Sequence, residues 1–257
     1  MRQWDLSVDH VVLGVLFQLQ RKFERALEHF RAAQKLQKKL VERDPSNGLW
    51  QHSLYESYYN IGDILLIQGD LDQAMLEFKA ALVICERRVA AAADEDKWRR
   101  NLSISLEGMG KVLRDQGRLD EAVTNFRTIV RLREQLVTEN PSNSQWKRNL
   151  ATGFLLLGGV LATRGDKADA QAMLLKSADI YGAIAASPGD FYNAACVNAL
   201  SGNSDRAFEM LDTAVQRGWR DTKWTATDSD LASLHADSRW KQLLEKMNRK
   251  QPKQNSN

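Results

Sequence analysis

Trp50, Trp98 and Trp146 stand 48 residues apart, and three more series keep the same stride. These are Gly62, Gly110 and Gly158; Gly69, Gly117 and Gly165; and Ala74, Ala122 and Ala170. A period of this length in several correlated positions marks a chain built from stacked copies of one supersecondary unit, each burying its apolar face on its neighbours. With 257 residues, 43% hydrophobic and 27% charged, such an array has ample material for a continuous core. The longest apolar run, "GFLLLGGVLA", is too short to span a bilayer. The start "MRQWDLSVDH" mixes acidic residues into its apolar positions and is unlike a secretory signal. A soluble, cytoplasmic protein with no membrane partner is therefore expected.

The spacing of apolar residues inside each unit is helical. Trp98, Leu102, Leu106, Met109 and Leu113 fall at steps of 4, 4, 3 and 4, one face of an α-helix. Trp50, Leu54, Tyr58, Ile61 and Leu65 repeat the pattern, as do Trp146, Leu150, Phe154, Leu157 and Leu161. Gly69, Gly117 and Gly165 follow this first helix, helix A, where a residue free to take positive φ closes it. Asp70 with Gln73 then reads as the cap of a second helix, helix B, with Ala74, Phe78, Ala81 and Leu82 on its apolar stripe. Arg118 replaces the capping residue in the next copy, which predicts a weaker junction by about 1 kcal/mol. Pro45 and Pro141, in "RDPSNG" and "ENPSNS", stop helix B, and Ser or Asn restarts helix A. Mid-helix glycine costs roughly 1 kcal/mol against alanine, so Gly62, Gly110 and Gly158 imply a compensating close approach of the two helices, expected against Ala74, Ala122 and Ala170.

These residues resemble the tetratricopeptide (TPR) motif: a large apolar residue, then an apolar residue and glycine, then alanine twelve later and an aromatic four beyond it. Tyr58, Ile61, Gly62, Leu65, Ala74, Phe78 and Ala81 match most fully; Leu106, Met109, Gly110, Leu113, Ala122 and Phe126 nearly so. Phe154, Leu157, Gly158, Leu161, Ala170 and Leu174 form a third copy, and Leu13, Gly14, Phe17, Ala26, Phe30 and Ala33 an earlier one. Phe191, Ala195, Ala207, Leu211 and Ala214 form a degenerate fifth, after an interval shortened to 37 residues. The usual family period is 34, so both helices are extended here, similar to repeats of bacterial multidomain proteins.

The expected fold is thus an all-α, right-handed α-solenoid of about five antiparallel helical hairpins over residues 1–218. The hairpins fall at about 1–48, 49–96, 97–144, 145–187 and 188–218. Residues 219–249 form a helical cap, with Asp228 and Ser238 starting two short helices and Leu231, Leu234, Trp240, Leu243 and Leu244 covering the last hairpin. Residues 250–257 read as a disordered tail. At the other end, Trp4 sits off the stripe that register would place at position 2. Either Trp4 folds back as a cap, or the chain is the C-terminal part of something longer; an uncapped first hairpin would permit self-association.

Catalytic patterns are absent from the sequence. His10, His29, His52 and His235 are scattered without metal-ligand spacing, and no metalloprotease, serine-hydrolase or phosphate-loop motif occurs. His10 is expected half-buried, His29 and His52 solvent-facing, and His235 in the cap. Asp94, Glu95 and Asp96 read as a solvated connector. Cys85 and Cys196 lack a CxxC spacing and read as buried free thiols, with no cofactor or metal. "KWRR" and "QWKR" interleave tryptophan with basic residues, but residues 49–96 hold three basic against nine acidic residues, a net −6 that breaks any continuous phosphate track. Nucleic acid is therefore not the expected partner, and enzymatic activity is not expected of this chain.

Recognition of a protein or peptide remains, as a non-catalytic interaction module or scaffold; the alternative is the sensor arm of a larger effector enzyme. The TPR resemblance implies ligand contacts on the concave face, three before and one after the motif glycine: Val11 and Val15, Tyr59 and Asp63, Glu107 and Lys111, Leu155 and Gly159. Arg114, one turn beyond Lys111, and Tyr192 extend the set. The family's carboxylate clamp is not matched, because Val11, Val15, Tyr59 and Asp63 stand where it needs Lys and Asn. Lys111 and Arg114 share a helix face and are expected to grip a short acidic or amphipathic peptide, unless Glu107 simply pairs with Lys111. Tyr59, Asp63, Glu107, Lys111, Arg114, Leu155 and Tyr192 are the candidate contact residues.

Overall fold

The computed structural model describes residues 2–91 and 95–248, in which helices are joined by short turns and no strand occurs. Two compact units divide the chain, Met1–Leu132 and Arg133–Asn257. The first holds α1 (Arg2–Leu19), α2 (Phe23–Arg43), α3 (Gly48–Gln68), α4 (Leu71–Ala90), α5 (Glu95–Asp115) and the start of α6 (Leu119–Glu139). The second holds α7 (Ser144–Arg164), α8 (Lys167–Ile184), α9 (Pro188–Leu200), α10 (Ser204–Gln216), α11 (Thr222–Thr227), a 3-10 turn (Ser229–Leu234) and α12 (Ser238–Asn248). Odd-numbered helices through α9 are the A helices of the repeats.

The A-to-B turn has one geometry in every repeat. Gly69, Gly117 and Gly165 take φ of 80°, 74° and 102°, and Gly202 takes 80° in the shortened fifth copy. In each, the next amide reaches back to the carbonyl five residues earlier, as Asp70 N does to Leu65 O and Asp166 N to Leu161 O, both 2.9 Å. The first repeat makes the same bond, Lys22 N to Phe17 O at 2.9 Å, but its positive-φ residue is Arg21, at 56°. Asp70 caps α4 by accepting from Gln73 N, while Asp166 turns its carboxylate to Arg164 and Arg118 pairs with Glu121. Asn47 and Asn143 cap α3 and α7, accepting from Trp50 N and from Gln145 N and Trp146 N.

The mid-helix glycines meet a large residue of helix B, and at Gly158 the expected alanine as well, the Ala170 carbonyl oxygen lying 3.2 Å from an added Cβ. A Cβ on Gly14, Gly62, Gly110 or Gly158 would lie 2.7–3.0 Å from Phe30, Phe78, Phe126 or Leu174, the large residue sixteen positions on. Phe78 is also approached by Gly108 of α5, whose Cβ would fall 2.5 Å from the ring. The glycines therefore seat a large buried side chain of helix B.

In the second unit, Ser187 and Asp190 form a capping box on α9 behind Pro188, and Arg148 of α7 pairs with Asp190. Helix α8 spans 18 residues and α9 spans 13, which accounts for the shortened interval before Ala195; α10 also spans 13. Leu231, Leu234, Trp240, Leu243 and Met247 join Ala207, Leu211 and Ala214 in one buried cluster, with Leu244 partly buried against it. The cap holds one element more than expected, α11.

Two expectations change. Glu95 and Asp96 begin α5 instead of standing in a connector, and Asp96 lies 3.7 Å from Arg99. Trp4 is a half-buried residue inside α1, so it does not fold back as a separate cap. Asp94 and the tail 250–257 lie outside the described residues.

Candidate functional site

In the first unit, side chains from α1, α3 and α5 meet on one face. Asp63 of α3 accepts a hydrogen bond from Gln18 Nε2 of α1 at 3.3 Å. Burial raises its carboxyl above the usual range, with Lys111 of α5 opposing the shift and Glu107 reinforcing it. Lys111 Nζ lies 2.7 Å from Glu107 Oε1, and Arg114 Nε lies 2.7 Å from Asp115 Oδ1. Both expected cations are thus paired on their own helix, and the excess charge of the cluster is acidic. Tyr59, one turn before Asp63, is half-buried, its ring 5.7 Å from that of Phe78 and 6.3 Å from that of Tyr55. It is a wall of this face as well as a contact candidate.

In the second unit, Leu155 and Tyr192 line one cavity of about 270 Å3 together with Tyr181, Trp224, Asp228 and Asp230. Tyr192, a candidate contact residue, has a buried side chain. It is 3% exposed, stacks on Trp219 at 4.3 Å, and donates its hydroxyl to Asp228 Oδ2 at 2.6 Å. Its role is to hold Asp228, which also caps the 3-10 turn by accepting from Asp230 N at 3.0 Å. Asp230 feels both burial and the neighbouring Asp228 charge, and its carboxyl is raised for those reasons in that order. Trp224, 52% exposed, is the accessible aromatic of this cavity. Trp224 is not among the candidate contacts because "DTKWTATDSD" carries no repeat register; a tryptophan between two helix-capping aspartates is the signal that segment does hold.

The remaining reactive groups have structural surroundings. His29 is half-buried, stacked on Phe17 at 5.4 Å with its Nδ1 3.0 Å from that of His10, so it does not face solvent as expected. His52 is likewise half-buried, its ring edge-on to Trp98 at 5.8 Å. Burial, then Lys97 and Arg100, lower its pKa to about 4. Burial pushes the Cys85 thiol up to about 12 and the Cys196 thiol upward as well, away from the reactive thiolate. Among the described residues no group of three or more His, Cys, Asp or Glu is placed to hold a metal ion. Nor is any described helix long and apolar enough to cross a membrane.

Residues 55–86 and 104–141 match family models for the tetratricopeptide repeat. Comparison with curated protein sequences found no match. Among solved structures, the apo form of RapI aligns over 94% of this chain and 81% of its own, with a TM-score of 0.60 at 12% identity. BtubC (BKLC) from P. vanneervenii aligns over 91% and 96%, with a TM-score of 0.56 at 16% identity. A Rap protein complexed with Competence and Sporulation Factor aligns over 93% and 65%, with a TM-score of 0.59 at 16% identity. At such identities the likeness is one of fold, and it agrees with the repeat geometry above. The chain is an all-α repeat solenoid that carries tetratricopeptide repeats at residues 55–86 and 104–141.

Proposed function

We propose that the chain is a non-catalytic interaction module that binds a protein or peptide segment along the A-helix faces of its repeats. The carrying observation is the cavity in the second unit. Leu155 and Tyr192, both at positions where the repeat family meets its ligands, border it beside the accessible ring of Trp224 and the carboxylates of Asp228 and Asp230. An aromatic wall with acidic groups at its edge favours a cationic side chain, through attraction to the ring face and relief of the charge crowding at Asp230. Lys111 and Arg114 are answered by Glu107 and Asp115, so the partner segment is amphipathic and basic rather than acidic. A Rap protein of like fold complexed with Competence and Sporulation Factor shows such a scaffold holding a partner. Two buried free cysteines suit a reducing compartment, and a cytoplasmic location is proposed accordingly.

The test places a photo-crosslinking residue at Trp224, at Tyr59 or at Lys79, which is exposed on helix α4. Products should form at the first two positions and not the third. With the captured partner in hand, Trp224→Ala or Asp230→Asn should weaken binding by about 1–2 kcal/mol, with helicity unchanged. Equal weakening by Lys79→Glu would move the binding surface off the A helices.

A further inference from the structure

The first helix carries an exposed apolar seam that nothing in the first unit covers. Val8, Val12, Val15 and Leu19 follow one another at steps of 4, 3 and 4, the spacing of a seam between two packed helices. They are 39%, 52%, 38% and 76% exposed, while another side of α1 buries Gly14 against Phe30 of α2. Leu6, Leu13 and Leu16 are exposed on α1 as well, at 48%, 39% and 48%, and so much aliphatic surface on one helix marks a contact surface.

We propose that this seam pairs with the same seam of a second copy of the chain, the two α1 helices lying antiparallel about a twofold axis. The stripe is self-complementary in that direction. Centred between Leu13 and Gly14, the antiparallel register sets Val8 against Leu19 and Val12 against Val15 of the other copy, each contact occurring twice, as an isologous interface requires. Charge selects the same arrangement. Asp5 and Asp9 stand near the start of α1 with no basic residue between them, and Arg21 and Lys22 stand in the turn after its end. All four are exposed and make no ion pair among the described residues. Antiparallel pairing brings Asp5 of each copy to the Arg21 and Lys22 turn of the other, whereas parallel pairing sets acid against acid and base against base. The basic turn also borders a hollow lined by Arg21, Lys22, Phe23, Glu24, Arg25 and Gln68, in which three basic side chains face one acidic one. A seam of four residues a side lies at the small end of specific interfaces, so the dimer is a reversible one with a dissociation constant on the order of tens of micromolar. The inference does not rest on the partner reading above, since its readout is the mass of the chain alone.

Analytical ultracentrifugation of the 257-residue chain from about 1 to 300 µM tests it. The mass should rise from 29.1 kDa toward twice that value, and less steeply at high salt, where exposed charge pairs are screened. Val12→Asp with Val15→Asp should raise the dissociation constant more than about tenfold without loss of helicity. Asp5→Lys alone and Lys22→Asp alone should each weaken the dimer about three- to tenfold, and the two together should restore it to within about twofold of the parent. Three results would overturn the proposal: a constant 29.1 kDa species at every concentration, a dimer indifferent to the two aspartates, or a double charge swap as weak as either single change.

Discussion

At the scale of single residues, the molecule departs from its own repeat in places where the departure has a cost. Arg21 occupies the positive-φ slot that glycine fills in the other copies, and a side chain there costs about 1 kcal/mol against glycine. Arg21→Gly should therefore raise stability by about 0.5–1 kcal/mol in urea unfolding at low micromolar concentration, the greater freedom of glycine in the unfolded chain offsetting part of the relief. His52 has a cost of another kind. Its folded pKa of about 4 lies below the 6.5 of an exposed histidine, so between these values the unfolded chain binds a proton that the folded chain does not. Stability contributed by neutral His52 is complete above about pH 6.5 and falls as pH drops toward 4. Glu56, 3.6 Å away, offers little counter-charge because burial raises its own carboxyl. With the ring still partly wet, the loss should be about 1–2 kcal/mol, and His52→Gln should lack that part of the acid slope when unfolding is followed from pH 7.5 to 4.5.

At the scale of elements, the repeat is held by a ring pressed into a glycine notch, and Phe78 shows it twice. Gly62 of its own hairpin and Gly108 of the next A helix both give it room. Gly108→Ala would gain about 1 kcal/mol in helix propensity, yet its Cβ would stand 2.5 Å from a ring that is 1% exposed and has nowhere to move. A net loss of about 1–2 kcal/mol in chemical unfolding is expected, partly recovered by combining Gly108→Ala with Phe78→Leu. The stride and the glycines were readable because both helices of every hairpin repeat them. Their contact partner was not, because a spacing of twelve or of sixteen along the chain translates into touching atoms only once the crossing of the two helices is known.

At the scale of the whole chain, a repeat array is stabilised by nearest-neighbour interfaces, so damage at an end stays local. Leu231 is fully buried between the cap and α9 and α10. Leu231→Ala should cost about 2–4 kcal/mol and should accelerate amide exchange in α9, α10 and α12 before it affects α3 and α4. The same local logic explains which candidate site residues the sequence could point to. Positions fixed by repeat register, such as Asp63, Lys111 and Leu155, were legible because each copy predicts the next. Trp224, Asp228 and Asp230 come from the segment that follows no register, and only the folding of the cap onto α9 brings them beside Tyr192.

Periodicity alone therefore determined the helices, their pairing into hairpins, the positive-φ turns and the need for a C-terminal cap. Each is a consequence of local backbone preference or of where apolar residues fall along one helix. Tertiary structure decided the rest: that Lys111 and Arg114 are already paired, that Tyr192 is a buried strut, that His29 and His52 lie against rings rather than in water. These outcomes depend on which side chains from separate helices reach the same few ångströms, and on how much water remains between them. A one-dimensional pattern carries neither quantity.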